Sequence, residues 1–327
     1  DSNGNPHTAY YDDLNGGIKY AYKNKSGWQI ETIPSLIGTE SNVNIALVID
    51  SFNIPHIFYK DSTNNILKHV YHNSSWVVET VDDSANVGDL PSATINNGII
   101  YVTYRDVTNA AIKYAYLNES GWQSETIFTN AFCYDDSLEF DSNDRPHIAF
   151  TVNERVYHGY LNESGWQSET FSDYYGYGYT THYVKLALDS NDNPHIVAYK
   201  SRSSGAPYLI YYGLGTTKVL ENTHGSGAHG DIYITEDDIA AVIYYVRYNP
   251  RYCLCDVAND TWTKTDLTGF SATYLGYISI ERDSNYYFHG ILREYNKLRY
   301  FTDYESPEPP TADFSANTTE TNENSNI

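Results

Sequence analysis

The sequence predicts an all-β fold closed into a ring, and three observations carry that prediction. The first is a repeated sentence, D-S-N-x-x-P-H-I-x-Y-x-D followed by I-K-Y-A-Y-x-N-x-S-G-W-x-x-E-T. It is clearest over residues 1–33, 50–81, 112–127, 141–171 and 189–200. The second is its spacing. Trp28, Trp76, Trp122 and Trp166 follow one another at 48, 46 and 44 residues, and Trp262 comes 96 residues later, two periods with one tryptophan skipped. A period in the mid-forties is the length of one four-stranded propeller blade. The third is composition: 34 Tyr in 327 residues with no Met suits strands, and no convincing helical period is present. Seven units are counted, so the expectation is a seven-bladed β-propeller of four-stranded antiparallel blades over residues 1–303.

Each unit carries four strand signals, a to d from the channel outward. Strand a is nearly continuously apolar in Asn44–Ile49 and recurs in Val184–Leu188, as expected where blades pack on both faces. Strand b follows the turn Asp189–Pro194 as His195–Tyr199. Strand c alternates in Ile112–Tyr116, with Ile112, Tyr114 and Tyr116 on one side and Lys113 and Ala115 on the other. Strand d, Trp122–Ile127, comes after the hairpin turn Asn118-Glu-Ser-Gly121. Longer d-to-a links step to the next blade. In up-and-down order the d-to-a links and b–c turns share one face, the top, and the a–b and c–d turns share the bottom.

The ends are uneven. The first unit opens at Asp1 in its a–b turn without a strand a, which reads as a mature or trimmed piece of something longer. The seventh, with strands Gly276–Glu281, Tyr287–Leu292 and Lys297–Thr302, lacks a strand d before it meets Pro307, Pro309 and Pro310. Residues 304–310 form a stiff linker. Thr311–Asn317 is then a strand candidate, pairing within its own ring or donated to a neighbouring copy.

Bulk properties exclude several classes. The formal net charge is −22, which repels phosphate backbones and argues against a nucleic-acid partner. No run approaches the ~18 apolar residues of a membrane helix. Cys133, Cys253 and Cys255 form no C-x-x-C motif, so neither a zinc ribbon nor attached haem is expected. On the blade map no disulfide between them is evident.

The bottom face gathers two patterns. Asn24, Asn73, Asn118, Asn162 and Asn259 each begin an N-x-S/T acceptor motif in a c–d turn, and Asn317 begins another in the tail. They are candidate glycosylation sites, although Asn, Ser and Gly also make good turns. In the a–b turn, Asp189, Asn191 and Asn193 are candidate calcium ligands, with an ordinary Asx-turn hairpin as the alternative; no other cofactor is expected. His7, His56, His147, His195 and His289 recur at the start of strand b. Separate blades hold them too far apart for one coordination shell, so a repeated structural hydrogen bond is expected.

The top face gathers the candidate ligand residues. Strand b ends in Lys60, Arg105, Lys200, Arg247 and Arg293. These form a cationic collar for an anionic glycan, or they pair locally with the acids that follow, Asp61, Asp106 and Glu294. The link Asp173–Tyr183 brings Tyr175, Tyr177, Tyr179 and His182, an amphipathic surface on which sugars stack. His224, His229, Asp135 and Asp136 belong to other links of this face. His182, His229, Tyr177 and Arg105 are available for chemistry, but no spacing selects catalytic residues and none is assigned.

The repeat resembles those of secreted bacterial and archaeal β-propellers, particularly multidomain surface proteins of methanogen type. Pro310-Thr-Ala-Asp-Phe-Ser-Ala-Asn-Thr318 resembles the opening strand of a PKD (Ig-like) domain, so residues 311–327 look like a stub of one. The resemblance implies an extracellular or cell-surface setting. The expectation is a binding or structural module for a glycan or surface-protein partner, with homo-assembly through residues 311–317. The alternative is a polysaccharide lyase or glycoside hydrolase acting on acidic glycans at the top face.

Overall fold

A computed structural model describes residues 1–12, 16–33, 44–130, 136–171, 179–202, 207–213, 215–222, 230–235, 237–246, 249–256, 261–266, 275–282, 288–294, 297–302 and 312–315. These residues form twenty-seven strands in seven antiparallel sheets. Blade 1 has three strands: β1 (His7–Tyr11), β2 (Ile18–Asn24) and β3 (Gly27–Thr32). Blade 2 has β4 (Ile45–Ile49), β5 (Pro55–Asp61), β6 (Ile66–Asn73) and β7 (Ser75–Asp82). Blade 3 has β8 (Val87–Asn96), β9 (Ile99–Asp106), β10 (Ala111–Asn118) and β11 (Gly121–Phe128). Blade 4 has β12 (Asp136–Phe140), β13 (Pro146–Val152), β14 (Arg155–Asn162) and β15 (Gly165–Thr170). Blade 5 has β16 (Tyr179–Leu188), β17 (Pro194–Arg202), β18 (Tyr208–Gly213) and β19 (Thr216–Glu221). Blade 6 has β20 (Asp231–Ile234), β21 (Ile239–Val246), β22 (Asn249–Asp256) and β23 (Thr261–Asp266). Blade 7 has β24 (Leu275–Arg282), β25 (Phe288–Glu294), β26 (Lys297–Thr302) and β27 (Ala312–Ser315). The expected seven-bladed propeller is what forms.

The core is divided among the blade interfaces. Along β17, Ile196 and Ala198 pack toward blade 4 while Val197 packs toward blade 6. Along β18, Ile210 and Tyr212 take the first side and Leu209 and Tyr211 the second. A strand buried on both faces has no use for alternation, so its sequence runs continuously apolar. Cys253 and Cys255 are buried packing groups, not joined by a disulfide, in the interface between blades 5 and 6. Burial pushes the Cys253 thiol up to about 11. Cys133 lies outside the described residues.

Each of the five tryptophans joins its blade to the one before it. Trp76 stands edge-on to Tyr20 at 5.4 Å, Trp122 to His69 at 5.4 Å, Trp166 to Tyr114 at 5.5 Å and Trp262 to Tyr211 at 4.9 Å. The same contact closes the ring. Trp28 of blade 1 meets Tyr300 of blade 7 at 5.7 Å and 74°, and Lys23 Nζ lies 5.2 Å from the Tyr300 ring centre. The W-x-x-E spacing has a matching cause: the Trp76 indole donates to Glu31 at 3.0 Å, and that of Trp122 to Glu79 at 2.7 Å. Each glutamate belongs to the preceding blade.

At the ends, the first sheet has three strands, as its missing strand a implied. The seventh gains its outer strand from the tail. Ala312–Ser315 pairs antiparallel with β26, Tyr300 opposite Ala312 and Lys297 opposite Ser315. The strand candidate is therefore paired within its own ring.

Candidate functional site

The bottom face is built for structure. In these D-S-x turns the aspartate closes its own loop: Asp189 Oδ1 accepts the amides of Asn191 and Asn193 at 2.9 and 2.8 Å, and Asp50 and Asp141 do the same two and four residues on. The serine grips the next blade, Ser190 reaching Asp238 and Ser142 reaching Asp192 with both amide and hydroxyl. Asp192 and Asp238 carry φ of 65° and 57°, the left-handed conformation that Asp tolerates. Of the calcium candidates, the Asn193 amide nitrogen donates to Asp189 and the Asn191 amide nitrogen to Ser190 Oγ. Among the described residues no group of His, Cys, Asp and Glu is arranged to hold a metal ion.

The strand-b histidines extend this scaffold. His195 Nε2 lies 3.3 Å from Asp189, and Nδ1 faces the Tyr211 hydroxyl at 2.5 Å. His7 and His289 meet Tyr20 and Tyr300 in the same way. Blades 2 and 4 replace the tyrosine with a second histidine. The chain then runs Asp50–His56–His69–Glu79 at 3.4, 2.9 and 2.8 Å, and Asp141–His147–His158–Glu169 at 3.5, 2.9 and 2.9 Å. Three contacts need three protons, whereas two neutral rings carry two. The short pair of contacts takes them, and the aspartate end is left long. Burial holds all four histidines below their ordinary pKa, which keeps the rings neutral.

The top face differs, because here the backbone is strained. Entering blade 3, Asn86, Gly88 and Leu90 carry φ of 54°, 94° and 53°. A Cβ on Gly88 would stand 2.9 Å from the Leu67 Cα, so only glycine fits that approach. Leu90 has no such excuse; a bulky residue at positive φ is held there by its surroundings. The result is a pair of register shifts between β8 and β9 around Asp89. Bulges of this kind re-aim side chains at a strand end. Asp89 lies opposite Arg105 in the ladder, and Lys60 of blade 2 reaches Asp89 Oδ1 at 2.8 Å and Asn86 Oδ1 at 2.7 Å. Beneath them Asp82 accepts from the Tyr104 hydroxyl, Ser84 and Lys113, and these donors hold its carboxyl down at about 2 against the cost of burial. Inner strand β16 has a matching shift between His182 and Val184, with Tyr183 at φ 49°.

Two expectations for the collar are corrected. Lys60 pairs with Asp89 of the next blade, because the acid that follows it is already used: Asp61 closes its own turn through the amides of Thr63 and Asn64, as Asp106 does through Asn109. Lys200 does not stand on the surface; it is 1% exposed, its ammonium 5.9 Å from the Tyr212 ring centre. Arg105 is half-buried beside Asp89. Asp136 is buried and accepts from the Thr103 hydroxyl across the blade 3–4 interface. Tyr179 and His182 lie on β16, opposite Arg202 and Tyr199. Tyr175, Tyr177, Asp135, His224, His229 and Arg247 lie outside the described residues, as do the side chain of Arg293 and residues Asn259 and Asn317. Asn86, Asp89 and Leu90 were not singled out from the sequence; the one signal there is Asp89-Leu-Pro91, a proline inside an inner strand.

No family model matches the chain, and no curated protein matches it. Solved structures do resemble it. The Aleuria aurantia lectin AAL in complex with Fucα1-6GlcNAc aligns with a TM-score of 0.56 at 9% identity, over 88% of this chain and 100% of that one. The SapL1 lectin in complex with α-methyl fucoside aligns at 0.55 and 10%, over 84% and 97%. The α-L-arabinanase of Penicillium chrysogenum with arabinobiose aligns at 0.57 and 10%, over 83% and 95%. At these identities the likeness is one of fold.

Proposed function

We propose that this propeller is a glycan-binding module of an extracellular or cell-surface protein, engaging sugar chains or a glycan-bearing surface partner through its top face. The observation that carries this is the strained top of β8, where Leu90 at φ 53° follows Asp89, whose carboxylate pairs with Lys60 and whose backbone lies opposite Arg105 in the ladder. Such a strip of fixed charges suits an acidic or polyhydroxylated ligand. The Tyr-rich segment Asp173–Tyr183, leading into the bulged inner strand β16, carries aromatic residues of the kind on which sugars stack. The solved relatives with bound sugars support a carbohydrate ligand by fold alone. Binding is favoured over the lyase or hydrolase reading because, among the described residues, Asp61, Asp82, Asp106 and Asp136 accept hydrogen bonds from structural donors and Asp89 is paired with Lys60. An acid–base pair needs a carboxyl facing substrate.

The test is a glycan-array screen of the intact chain, repeated with Arg105→Ala. Selective binding that the substitution weakens supports the reading. Binding to no glycan, or release of shorter chains from an acidic polysaccharide, overturns it. Assembly of copies through exchange of β27 belongs to the same surface setting; a chain that stays monomeric on sizing at high concentration counts against that part.

A further inference from the structure

The c–d turns face the opposite way from the proposed binding surface, and those of blades 1, 3 and 4 share one geometry. In blades 1, 3 and 4 the turn pairs Asn24 with Gly27, Asn118 with Gly121 and Asn162 with Gly165. The glycines carry φ of 101°, 97° and 95°, which lets a two-residue tip close the hairpin. Each asparagine Oδ1 accepts the amide of the serine two residues on, Ser26, Ser120 or Ser164, at 2.8 Å. The oxygen is thereby fixed, and none of the three Nδ2 groups donates to any described residue. The three serines are exposed. A Cβ built on any of the three glycines meets nothing within 4 Å, so the space beside each tip is open.

We propose that Asn24, Asn118 and Asn162 are N-glycosylated, giving an arc of glycans on the outer bottom corner of blades 1 to 4 and leaving the top face bare. The co-reactant is an oligosaccharide carried on a lipid phosphate. The asparagine Nδ2 forms a bond to the anomeric carbon, the carbon–oxygen bond to phosphate breaks, and the phosphate leaves with the electron pair. The amide proton passes to a base of the transferase. The pre-formed turn presents Nδ2 and the serine hydroxyl together at a tip with room for the transferase and its donor.

Asn73 provides an internal contrast. It also begins an acceptor motif and is exposed, but it pairs directly with Ser75 across Ser74 at φ 61°, and its Oδ1 accepts no serine amide. It is expected to be modified less fully than the other three.

The experiment is glycopeptide mass spectrometry of the full chain purified from its native cells, beside Ser26→Ala, Ser120→Ala and Ser164→Ala variants made in the same cells. Sugar-sized mass additions on the Asn24, Asn118 or Asn162 peptides, each lost when its serine is replaced, establish the proposal. Bare asparagine at all three overturns it. So do additions that survive serine replacement, and so does modification confined to Asn73. None of these outcomes depends on what the top face binds.

Discussion

The ring closes through an aromatic contact that repeats four others, and this allows closure to be measured. The perturbation is a double-mutant cycle on Trp28 and Tyr300, using Trp28→Ala and Tyr300→Leu, with Trp76→Ala and Tyr20→Leu as the yardstick at an ordinary interface. Trp28 is half-buried, so truncation costs less than the ~3–5 kcal/mol of a fully buried tryptophan; about 2–3 kcal/mol is expected. Tyr300→Leu loses in addition the His289 contact at 2.5 Å, and Tyr20→Leu the His7 contact at 2.5 Å, so the single values do not isolate the aromatic pair. The coupling does. An edge-on pair at 5.7 Å and 74° is expected to couple by about 0.5–1.5 kcal/mol, matching Trp76–Tyr20 at 5.4 Å and 75° to within about 0.5 kcal/mol. Equilibrium denaturation in urea provides the assay, with fluorescence and circular dichroism required to report one transition. Coupling at Trp76–Tyr20 with none at Trp28–Tyr300 would refute closure between blades 7 and 1.

Other outcomes follow from single sites. The histidines of the paired chains are held below their ordinary 6.5 by burial, so the unfolded chain binds more protons just below neutrality. Stability is therefore full above about pH 6.5 and falls as pH drops toward the depressed folded values, which denaturation midpoints between about pH 7 and 5 will show. The carboxylates act lower. Asp82, held near 2, contributes stability that is present above its ordinary 3.8 and is lost as pH falls through its folded value, so His69→Tyr should shrink the first phase, to which His56, His147 and His158 still contribute, and leave the second. Gly88→Ala forces a Cβ to 2.9 Å from Leu67 Cα at φ +94° and is expected to cost about 1–3 kcal/mol in the same denaturation assay. Asp141→Ala strands the Asn143 and Arg145 amides and is expected to cost about 1–3 kcal/mol. A value near zero would mean that solvent satisfies the turn unaided.

Much of this architecture is legible because repetition makes one physical contact visible many times. The W-x-x-E spacing marks strand d, but only the folded ring reveals that the tryptophan and its glutamate belong to neighbouring blades. The strand-b histidine can be read as structural. Its partner, thirteen residues on at His69 or Tyr20, sits on another strand and carries no local signal. The top face resists reading for a different cause. Lys60 is followed by Asp61, yet side-chain to main-chain bonds within a turn outcompete the sequence-adjacent ion pair, and Lys60 turns to Asp89. Lys200 looks like its counterparts in sequence but is buried by its neighbours. The left-handed Leu90 is invisible, because nothing in a leucine announces positive φ.

The central claim is that sugar binds the top of the ring, and isothermal titration of the best array glycan tests it most directly. The wild-type chain is compared with Tyr175→Ala/Tyr177→Ala/Tyr179→Ala, with Arg105→Ala, and with the bottom-face control Phe52→Ser, whose side chain is 82% exposed in its turn. The account predicts weakening by about 1–3 kcal/mol for the triple variant, roughly 5- to 150-fold, and at least tenfold for Arg105→Ala. Phe52→Ser should bind as the wild type does. Unchanged affinity in both top-face variants at unchanged stability, or loss confined to Phe52→Ser, would contradict it.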